Sequence, residues 1–390
     1  MKKLFTHWTF AFVTLFALTW VGLQDPQIKE ILRLKSFDLQ FQAQEKVVSQ
    51  DIAIVEIDEK SMEIYGQWPW KRDILAGLIE ELRMAEVGVI VLPILFAEED
   101  RLGGDEVFAN ALNGNFVVIS QTGSHQTTQN GYPRGVAKIG DPLSWLFEWP
   151  GMVGPIPLIG ENAAGVGTTN TAPEIDGVVR RMPLLMKIGN DVYPNIAIEV
   201  IRVAVGDPSY QVKASDAGII AMRVPGFATI NTDQHARIWL TWNKEYKTVS
   251  LAEAGPGGFS DLKGKTIIIA PTAEGIGGVI ATPTGQQYDY VALASTLQTV
   301  IDGVNIERID ISWLIELAVA FLVGACIIVL TRFTPYYAVG MMMFFFAIAS
   351  IYGTIYFFER NMLVDVTWIL VTILFVGLHS IFNRFILEFR

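Results

Sequence analysis

The sequence predicts an α/β domain, with a mainly parallel sheet covered by helices and some extra β elements, together with four transmembrane helices. Three observations support this fold class. Short apolar runs alternate with amphipathic segments from residue 51 onwards, a pattern typical of parallel strands connected by helices. Four apolar runs have the length of about 20 residues that a membrane-spanning helix needs. The mean hydropathy of +0.37 suits a chain that is partly in water and partly in a bilayer.

The chain opens with a predicted cytoplasmic tip, residues 1–3, and a predicted transmembrane helix, residues 4–23. A cleaved signal peptide is the alternative for this apolar run, but it would have a shorter apolar core and a cleavage site between small residues. The run continues instead into WVGLQDP. The sequence therefore favours an uncleaved membrane anchor.

Three further apolar runs lie near the end of the chain and predict transmembrane helices over residues 312–331, 335–358 and 362–385. The connections between them are short and contain TRFTP and ERNM. Consecutive helices are therefore expected to be antiparallel. Residues 386–390 form the predicted cytoplasmic end.

The basic residues beside these runs orient the chain. Lys2 and Lys3 precede the first run, Arg332 follows the second, and Arg390 ends the sequence. Basic residues concentrate on the cytoplasmic side of a membrane, so both termini are expected in the cytoplasm. Residues 24–311 then form a periplasmic domain, and the chain is predicted to reside in a bacterial inner membrane as a multi-pass protein.

Four polar side chains lie in or beside the apolar runs: His7, Glu316, Asp365 and His379. They are candidates for a proton or ion relay. All four lie within a turn or two of a predicted span end, where a long side chain reaches the interface at small cost. The second interpretation is favoured, and no transporter is expected.

Residues 25–46 carry apolar side chains at mixed three- and four-residue spacing, which predicts a helix continuing from the first span. Two interpretations remain open for this helix. It couples movement of the external domain to the membrane, or it is a simple packing helix.

Strand and helix patterns then alternate through the external region. Residues 121–170 show no strong periodicity and are rich in glycine, proline, threonine and asparagine, and long irregular segments are often functional. Buried strands are predicted over residues 51–57, 87–92, 115–120 and 265–270, additional strands over 178–188 and 238–242, and helices over 72–84, 106–112, 195–205 and 289–300.

Composition excludes several function classes. The 390 residues include 40 acidic and 29 basic side chains, and a net charge of −11 disfavours binding to nucleic acid phosphates. The single cysteine, Cys326, excludes an internal disulfide and a cysteine-rich zinc site. We expect no metal site and no cofactor.

Three segments resemble the CHASE type-2 (CHASE2) family of extracellular sensory domains. The first, EIDEKSMEIYGQWPWKRDILAGLIEEL, is similar to the opening motif of the family. The second is GVGTTNTAPEIDGVVRRMPLLMKIGNDVYPNIAIEVIR, and the third is LKGKTIIIAPTAEGIGG. The resemblance covers essentially the whole chain, including one span before and three after the domain. The positions that match the opening motif are Asp58, Ser61, Gly66, Trp68, Pro69, Trp70 and Arg72.

The chain departs from the family pattern at several positions. Pro93 stands where the family usually has an aspartate, Glu174 replaces another aspartate, and Ala270 replaces a usual glycine. Gly278 lies where an aspartate is frequent, and Leu293 where a histidine is common. Polar groups at strand ends lie where parallel sheets bind ligands, so these departures weigh against a family-like ligand or cation site.

The resemblance suggests a ligand site near the opening motif. Trp68 and Trp70 are candidates for an aromatic wall, Arg72 for pairing with a ligand carboxylate, and Asp58 for a further contact. The alternative, which is favoured, is that the tryptophans close the end of the sheet and Arg72 caps a helix or pairs within the fold.

Asp176 and Arg180 are the remaining candidate ligand-binding residues. Asp176-Gly177 is a typical tight-turn sequence, and a turn held by ion pairs is the favoured interpretation. An acidic cluster could bind a divalent cation, but its spacing matches no calcium loop and favours an acidic solvated loop; its members are Glu98, Glu99, Asp100, Asp105 and Glu106. No nucleophile with a plausible base is present, so no enzyme activity is expected.

The resemblance implies a sensory protein. Family members usually continue with a kinase, cyclase or phosphatase domain after the last span, so this chain is expected to pass its state to a separate membrane or cytoplasmic effector. One alternative is a scaffold or accessory subunit of a cell-envelope complex, which uses the domain for protein contacts. A second is the sensor part of a longer receptor cyclase or histidine kinase. A homo-oligomer is compatible with all three, and the lipid bilayer is the remaining partner.

Overall fold

The computed structural model describes residues 7–253 and 257–388. Two compact units are present: Met1–Gln44 with Ile306–Arg390, and Glu45–Asn305. We call them the membrane unit and the domain unit. The predicted limits of the external region, residues 24 and 311, stay predictions, because contacts between residues do not show where a bilayer begins.

Helices occupy both units. In chain order they are α1 (Ala11–Leu23), α2 (Gln27–Gln42), α3 (Glu59–Tyr65), α4 (Arg72–Met84), α5 (Asp105–Leu112), α6 (Pro157–Gly160), α7 (Ile196–Val205), α8 (Asp289–Ile301), α9 (Ser312–Thr331), α10 (Tyr336–Phe358) and α11 (Thr367–Glu388).

The named strands all belong to the domain unit. They are β1 (Val47–Ile57), β2 (Ile90–Leu92), β3 (Val117–Ser124), β4 (Val136–Ile139), β5 (Phe147–Glu148), β6 (Gly151–Val153), β7 (Gly165–Thr168), β8 (Arg181–Pro183), β9 (Leu185–Ile188), β10 (Asp191–Pro194), β11 (Tyr210–Ser215), β12 (Gly218–Val224), β13 (Ala228–Asn231), β14 (Arg237–Trp239), β15 (Lys244–Ser250), β16 (Thr266–Pro271), β17 (Val279–Thr282) and β18 (Gly285–Tyr288).

The largest sheet has the strand order β15-β1-β16-β2-β3, and β3 also pairs with β6 and β7. All of these pairs are parallel except β3 with β6. Ile54 of β1 lies beside Ile268 of β16, which lies beside Val91 of β2. These central strands are almost wholly apolar because helices cover both faces of a parallel sheet.

Helices α4 and α5 cover one face of this sheet. Their apolar side chains share a core with Val55 of β1 and Ile267 of β16. Helix α4 contributes Leu75, Leu78 and Ile79 at helical spacing, and burying each such side chain stabilises the fold by about 1.5–3 kcal/mol. The predicted helix over residues 72–84 is therefore confirmed. The alternate strand side chains face the other way, and α8 contacts β1 and β16.

The remaining strands are short and mostly antiparallel. They form a four-stranded sheet β13-β12-β11-β4, a three-stranded sheet β10-β9-β5, and the pairs β14-β8 and β17-β18. The expectation of a mainly parallel sheet therefore applies to the large sheet, and the domain unit as a whole is mixed α/β. Residues 121–170, which show no periodicity, contain the short strands β4, β5, β6 and β7, of which the last two pair with β3 of the large sheet. Segments of two to four residues are too short to give a periodic signal.

The membrane unit contains three helices that are long and apolar enough to span a bilayer, α9, α10 and α11. Two begin and end close to their predicted limits. The third begins at Thr367 rather than at residue 362. Residues 362–366 are not helical, because Leu363 donates its backbone N–H to Glu307 and the Asp365 side chain accepts the backbone N–H of Thr367.

The first predicted span is described only in part. Residues 1–6 lie outside the described range, and residues 8–23 form a short 3₁₀ turn followed by α1. This apolar helical stretch is shorter than a span. The fourth span at residues 4–23 therefore stays a prediction, as do the cytoplasmic tip and the last residues, 389–390. The predicted helix over residues 25–46 is present as α2.

Candidate functional site

Asp58 follows β1 at the carboxyl end of the large sheet. Its Oδ1 accepts hydrogen bonds from the Ser61 backbone N–H at 3.0 Å, the Ser61 hydroxyl at 2.6 Å and the Ser250 hydroxyl at 2.9 Å. Asp58 is thus the N-cap of α3 and links it to β15. Burial by itself would raise the pKa of Asp58, but these hydrogen bonds outweigh it and hold that pKa below its usual range.

The two predicted tryptophans lie together against the core. Trp70 is buried, and its Nε1 donates to the Gly66 carbonyl at 2.7 Å. Its ring centroid is 5.3 Å from that of Trp68 and 5.2 Å from that of Tyr65. Trp70 belongs to the main core, and Trp68 packs against it while half-buried. This packing agrees with the interpretation that the tryptophans close the end of the sheet.

Arg72, the first residue of α4, is buried and engaged within the fold. Its guanidinium pairs with Asp105 and the carbonyl of Glu98, and lies 5.3 Å from the Phe96 ring centroid. Its backbone N–H donates to Asp100 at 2.8 Å. The acidic segment was expected to be a solvated loop. That expectation is wrong for two of its carboxylates, because they bind Arg72.

Asp176 and Arg180 form a separate ion-paired turn. The guanidinium of Arg180 contacts both carboxylate oxygens at 2.8 and 2.7 Å, and this arginine is fully buried. The Arg181 guanidinium likewise donates to both carboxylate oxygens of Glu174, at 2.6 and 2.8 Å. Gly177 between them has a φ of +79°, which favours glycine. The structure agrees with the favoured interpretation of a turn held by ion pairs.

Sequence reasoning missed Glu56 and Tyr290 at the same edge of the sheet. Glu56 is the one acid near the end of an apolar strand, and its half-buried carboxylate interacts with the Tyr290 hydroxyl. Burial raises the pKa of Glu56, the charge of Asp58 raises it further, and the interaction with Tyr290 opposes both. The sequence signal that could have found this position is an acid near the end of an otherwise apolar strand.

Tyr290 lies in the first turn of helix α8, and a second tyrosine, Tyr288, is the N-cap of that helix. The rings of Tyr288 and Tyr290 are stacked, with centroids 5.8 Å apart and an angle of 13° between their planes. The Tyr288 hydroxyl donates to the Thr272 carbonyl at 3.0 Å. We call Glu56, Asp58, Tyr288 and Tyr290 the rim cluster. Among the described residues, no group of three or more histidine, cysteine or acidic side chains is arranged to hold a metal ion.

Two family departures lie at this edge. Gly278 accepts the backbone N–H of Asp289 at 2.9 Å, and a Cβ at Gly278 would lie 2.2 Å from the Asp289 carboxylate. Glycine is therefore needed there for close approach. Leu293 is buried in α8. A histidine-like polar contribution from this position is absent, and the edge is built from tyrosines instead.

A second polar site lies in the membrane unit. The Arg308 guanidinium donates to both carboxylate oxygens of Glu316, at 3.1 and 2.9 Å. Glu316 also accepts the backbone N–H of Asp365 at 2.7 Å. The Arg308 guanidinium lies 5.5 Å from the ring centroid of Phe37 in α2. One ion pair therefore joins α2, the segment before α9, α9 itself and the segment before α11. We call Arg308, Glu316, Asp365 and Phe37 the junction cluster.

Helix α2 has further attachments within the membrane unit. Lys29 is buried, donates to the Gly22 carbonyl at 2.9 Å and lies 5.9 Å from the Trp368 ring centroid. The rings of Phe41 and Phe358 meet edge to face at 5.4 Å. These contacts pack α2 within the membrane unit, and its coupling of domain movement to the membrane stays a prediction.

The polar residues beside the predicted spans differ in their burial and in their hydrogen-bond partners. Glu316 and Asp365 are buried, and Glu316 is paired with Arg308. His379 instead hydrogen-bonds Thr14 at 2.7 Å, and His7 hydrogen-bonds Thr9 at 2.7 Å. A basic residue eight positions before an acid at a span start was the sequence signal for the ion pair.

Comparison with known families gives one match. The model of the CHASE2 domain matches residues 10–334 of the chain. This range contains the whole domain unit and all of α1, α2 and α9, so it includes the rim cluster and most of the junction cluster. No curated protein and no solved structure matches the chain.

Proposed function

Because the chain belongs to the CHASE2 family, whose domains are sensory, we propose that it is a membrane sensory protein that relays its state to a separate partner. Residues 24–311 form the periplasmic part, which binds a ligand or a protein. Both termini lie in the cytoplasm of a bacterial cell. The three apolar helices after the domain support membrane insertion, and the flanking basic residues support the orientation.

The junction cluster is the observation that carries the proposed relay. The domain unit is connected to the rest of the chain after Gln44 and before Ile306. Arg308 follows the second connection and contacts both α2, which leads into the first connection, and Glu316 in α9. A displacement of either connection therefore acts on the same buried ion pair. Such a pair tolerates little change of geometry before its charges lose their compensation.

The ligand-contacting surface is proposed to lie at the rim cluster. Ligands of parallel α/β sheets bind outside the carboxyl ends of the strands, which is where Asp58 and Glu56 lie. Trp68 is the predicted site residue with the most accessible ring at this edge. Arg72 and Arg180 are held by carboxylates of the fold, so we assign them to maintaining it.

The scaffold hypothesis is the second candidate function. Its support is the loss of family polar groups at the edge of the sheet, where Pro93 follows β2 and Leu293 is buried. A domain without those groups retains a surface for protein contacts. Purification of the full chain in mild detergent distinguishes the candidates. The sensor proposal predicts no stoichiometric complex with structural envelope proteins, and such a complex would favour the scaffold.

The orientation is tested by labelling introduced cysteines. In a Cys326→Ser background, His125→Cys places a thiol on the exposed surface of the domain unit, and Phe333→Cys places one between α9 and α10. A membrane-impermeant maleimide added to spheroplasts should label the first variant at once. The second should be labelled only after the membrane is permeabilised. The reverse pattern would overturn the proposed topology and, with it, periplasmic sensing.

A further inference from the structure

Helix α8 is attached to the large sheet differently from α4. Ten of its residues are buried, but Ser295, Thr296, Gln298 and Thr299 among them are polar. Helices that are buried on most sides are usually apolar. Helix α4, on the other face, places Leu78 and other apolar side chains on the sheet.

The polar side chains of α8 bind the β1–β15 edge of the sheet. Ser49 donates to Gln298 at 2.6 Å, and Gln298 donates to Asp51 at 3.2 Å. Thr299 accepts the backbone N–H of Thr241 at 2.9 Å. These bonds connect residues far apart in sequence, so they fix the register between α8 and the sheet.

Hydrogen bonds of this kind can be exchanged for water or for new partners, and their net contribution to stability is small. Displacing α4 would expose apolar surface, which costs free energy in proportion to its area. Helix α8 also buries apolar residues such as Leu293 and Leu297, so lifting it off the sheet would carry a similar cost, whereas a shift along the β1–β15 edge exchanges its polar bonds. The polar contacts also define a discrete starting register.

The two ends of α8 interact with the rim cluster and with strand β15. At its start, Tyr290 interacts with Glu56 in the rim cluster. At its end, Asp302 pairs with Lys244 of β15 at 2.9 Å. Six residues later comes Arg308, whose side chain forms the junction cluster. No other helix of the domain unit combines these two positions among the described residues.

We propose that α8 is the displaceable output helix of the domain, which a change at Glu56 and Tyr290 shifts along the β1–β15 edge through exchange of its polar bonds. This inference rests on the proposed sensory function and specifies its internal step. The covalent segment 302–311 then carries the shift to the ion pair of Arg308.

Amide hydrogen exchange of the full chain in lipid nanodiscs tests the inference. In the wild-type protein, the amides of α8 should exchange at least about tenfold faster than those of β1 and β16, because α8 opens separately from the sheet. Thr299→Val removes the acceptor for Thr241 without changing the volume. It should speed exchange a further ~10-fold in α8 and residues 302–311 only.

Two variants serve as controls. Tyr290→Phe removes only the hydroxyl at the rim cluster and should speed exchange in the first turns of α8. Leu78→Ala removes apolar packing from α4 and should affect the sheet without a selective effect on residues 302–311. If α8 opens only together with β1 and β16 in the wild-type protein, or if Thr299→Val and Leu78→Ala give the same pattern, the output-helix inference is overturned. Neither result would alter the topology and purification experiments, which test the sensory proposal separately.

Discussion

Two arginines of this chain make similar contacts but connect different parts of the molecule. Arg72 binds Asp105 and lies against Phe96, so its contacts hold one loop onto one helix of the domain unit. Arg308 binds Glu316 and lies against Phe37, and its contacts join four segments of the membrane unit. The first lies in the most recognisable motif of the sequence and the second in none. The contacts of Arg72 lie within the fold, whereas the proposed coupling depends on an ion pair between inconspicuous positions.

The largest expected effect is the loss of the membrane-unit pair. Glu316→Ala leaves Arg308 without its carboxylate in a buried setting, and the free energy of unfolding should fall by about 3–5 kcal/mol. The measurement is equilibrium unfolding of the full chain in bicelles. Asp310→Ala, at an exposed position nearby, is the matched control and should change stability by less than about 0.5 kcal/mol. Equal effects of the two variants would show that the ion pair contributes nothing.

Removal of the domain-unit arginine should have a smaller effect. Arg72→Ala takes away a buried charge-assisted contact to Asp105, and the domain unit should lose about 2–3 kcal/mol of stability. Arg72→Lys should recover only part of the stability lost in Arg72→Ala, because an ammonium group does not reproduce the planar donor geometry of a guanidinium. Arg101→Ala is the exposed control. Full recovery by lysine would contradict the assigned geometry.

The sequence predicted most of the large elements and few of the polar contacts. The buried strands of the large sheet and helix α4 follow from apolar periodicity, which is local information. The short strands between residues 121 and 170 are stabilised by pairing with distant strands, such as β3 with β7, and such pairing is not visible in a local pattern. Arg308 and Glu316 are separated by only eight residues, yet their pairing depends on how the helices pack.

The rim cluster allows a finer comparison between two acids on one strand end. Asp58→Ala removes the N-cap of α3 and its bonds to Ser61 and Ser250, and should cost about 1 kcal/mol at neutral pH. Lys60→Ala, at an exposed position, should have almost no effect. The pKa of Asp58 is held low, so its contribution should persist above its unfolded pKa and be lost as the pH falls through the folded pKa. A pH-independent loss would contradict this origin.

The contribution of Glu56 to the free energy of unfolding should change with pH in the opposite direction to that of Asp58. This effect should be the smallest of those predicted here. Its pKa is raised by burial and by Asp58, so the folded state binds the proton more firmly, and the contribution of Glu56 to stability should decrease as the pH rises through the folded pKa. Glu59 and Tyr290 are the other titratable groups that act on it. Glu56→Gln should remove this decrease, which unfolding curves at several pH values will measure. A stability profile that rises over this range would contradict the assignment.

In the proposed relay, both chain connections of the domain act on the junction cluster. Two backbone bonds report on it: Glu307 donates to Asn361, and Leu363 donates to Glu307, both at 2.8 Å. Hydrogen exchange at the Glu307 and Leu363 amides is the most direct measurement. Both amides should exchange faster in Glu316→Ala, and their exchange should not change in Arg72→Ala. Unchanged exchange in Glu316→Ala, or an equal increase in Arg72→Ala, would contradict the proposed relay.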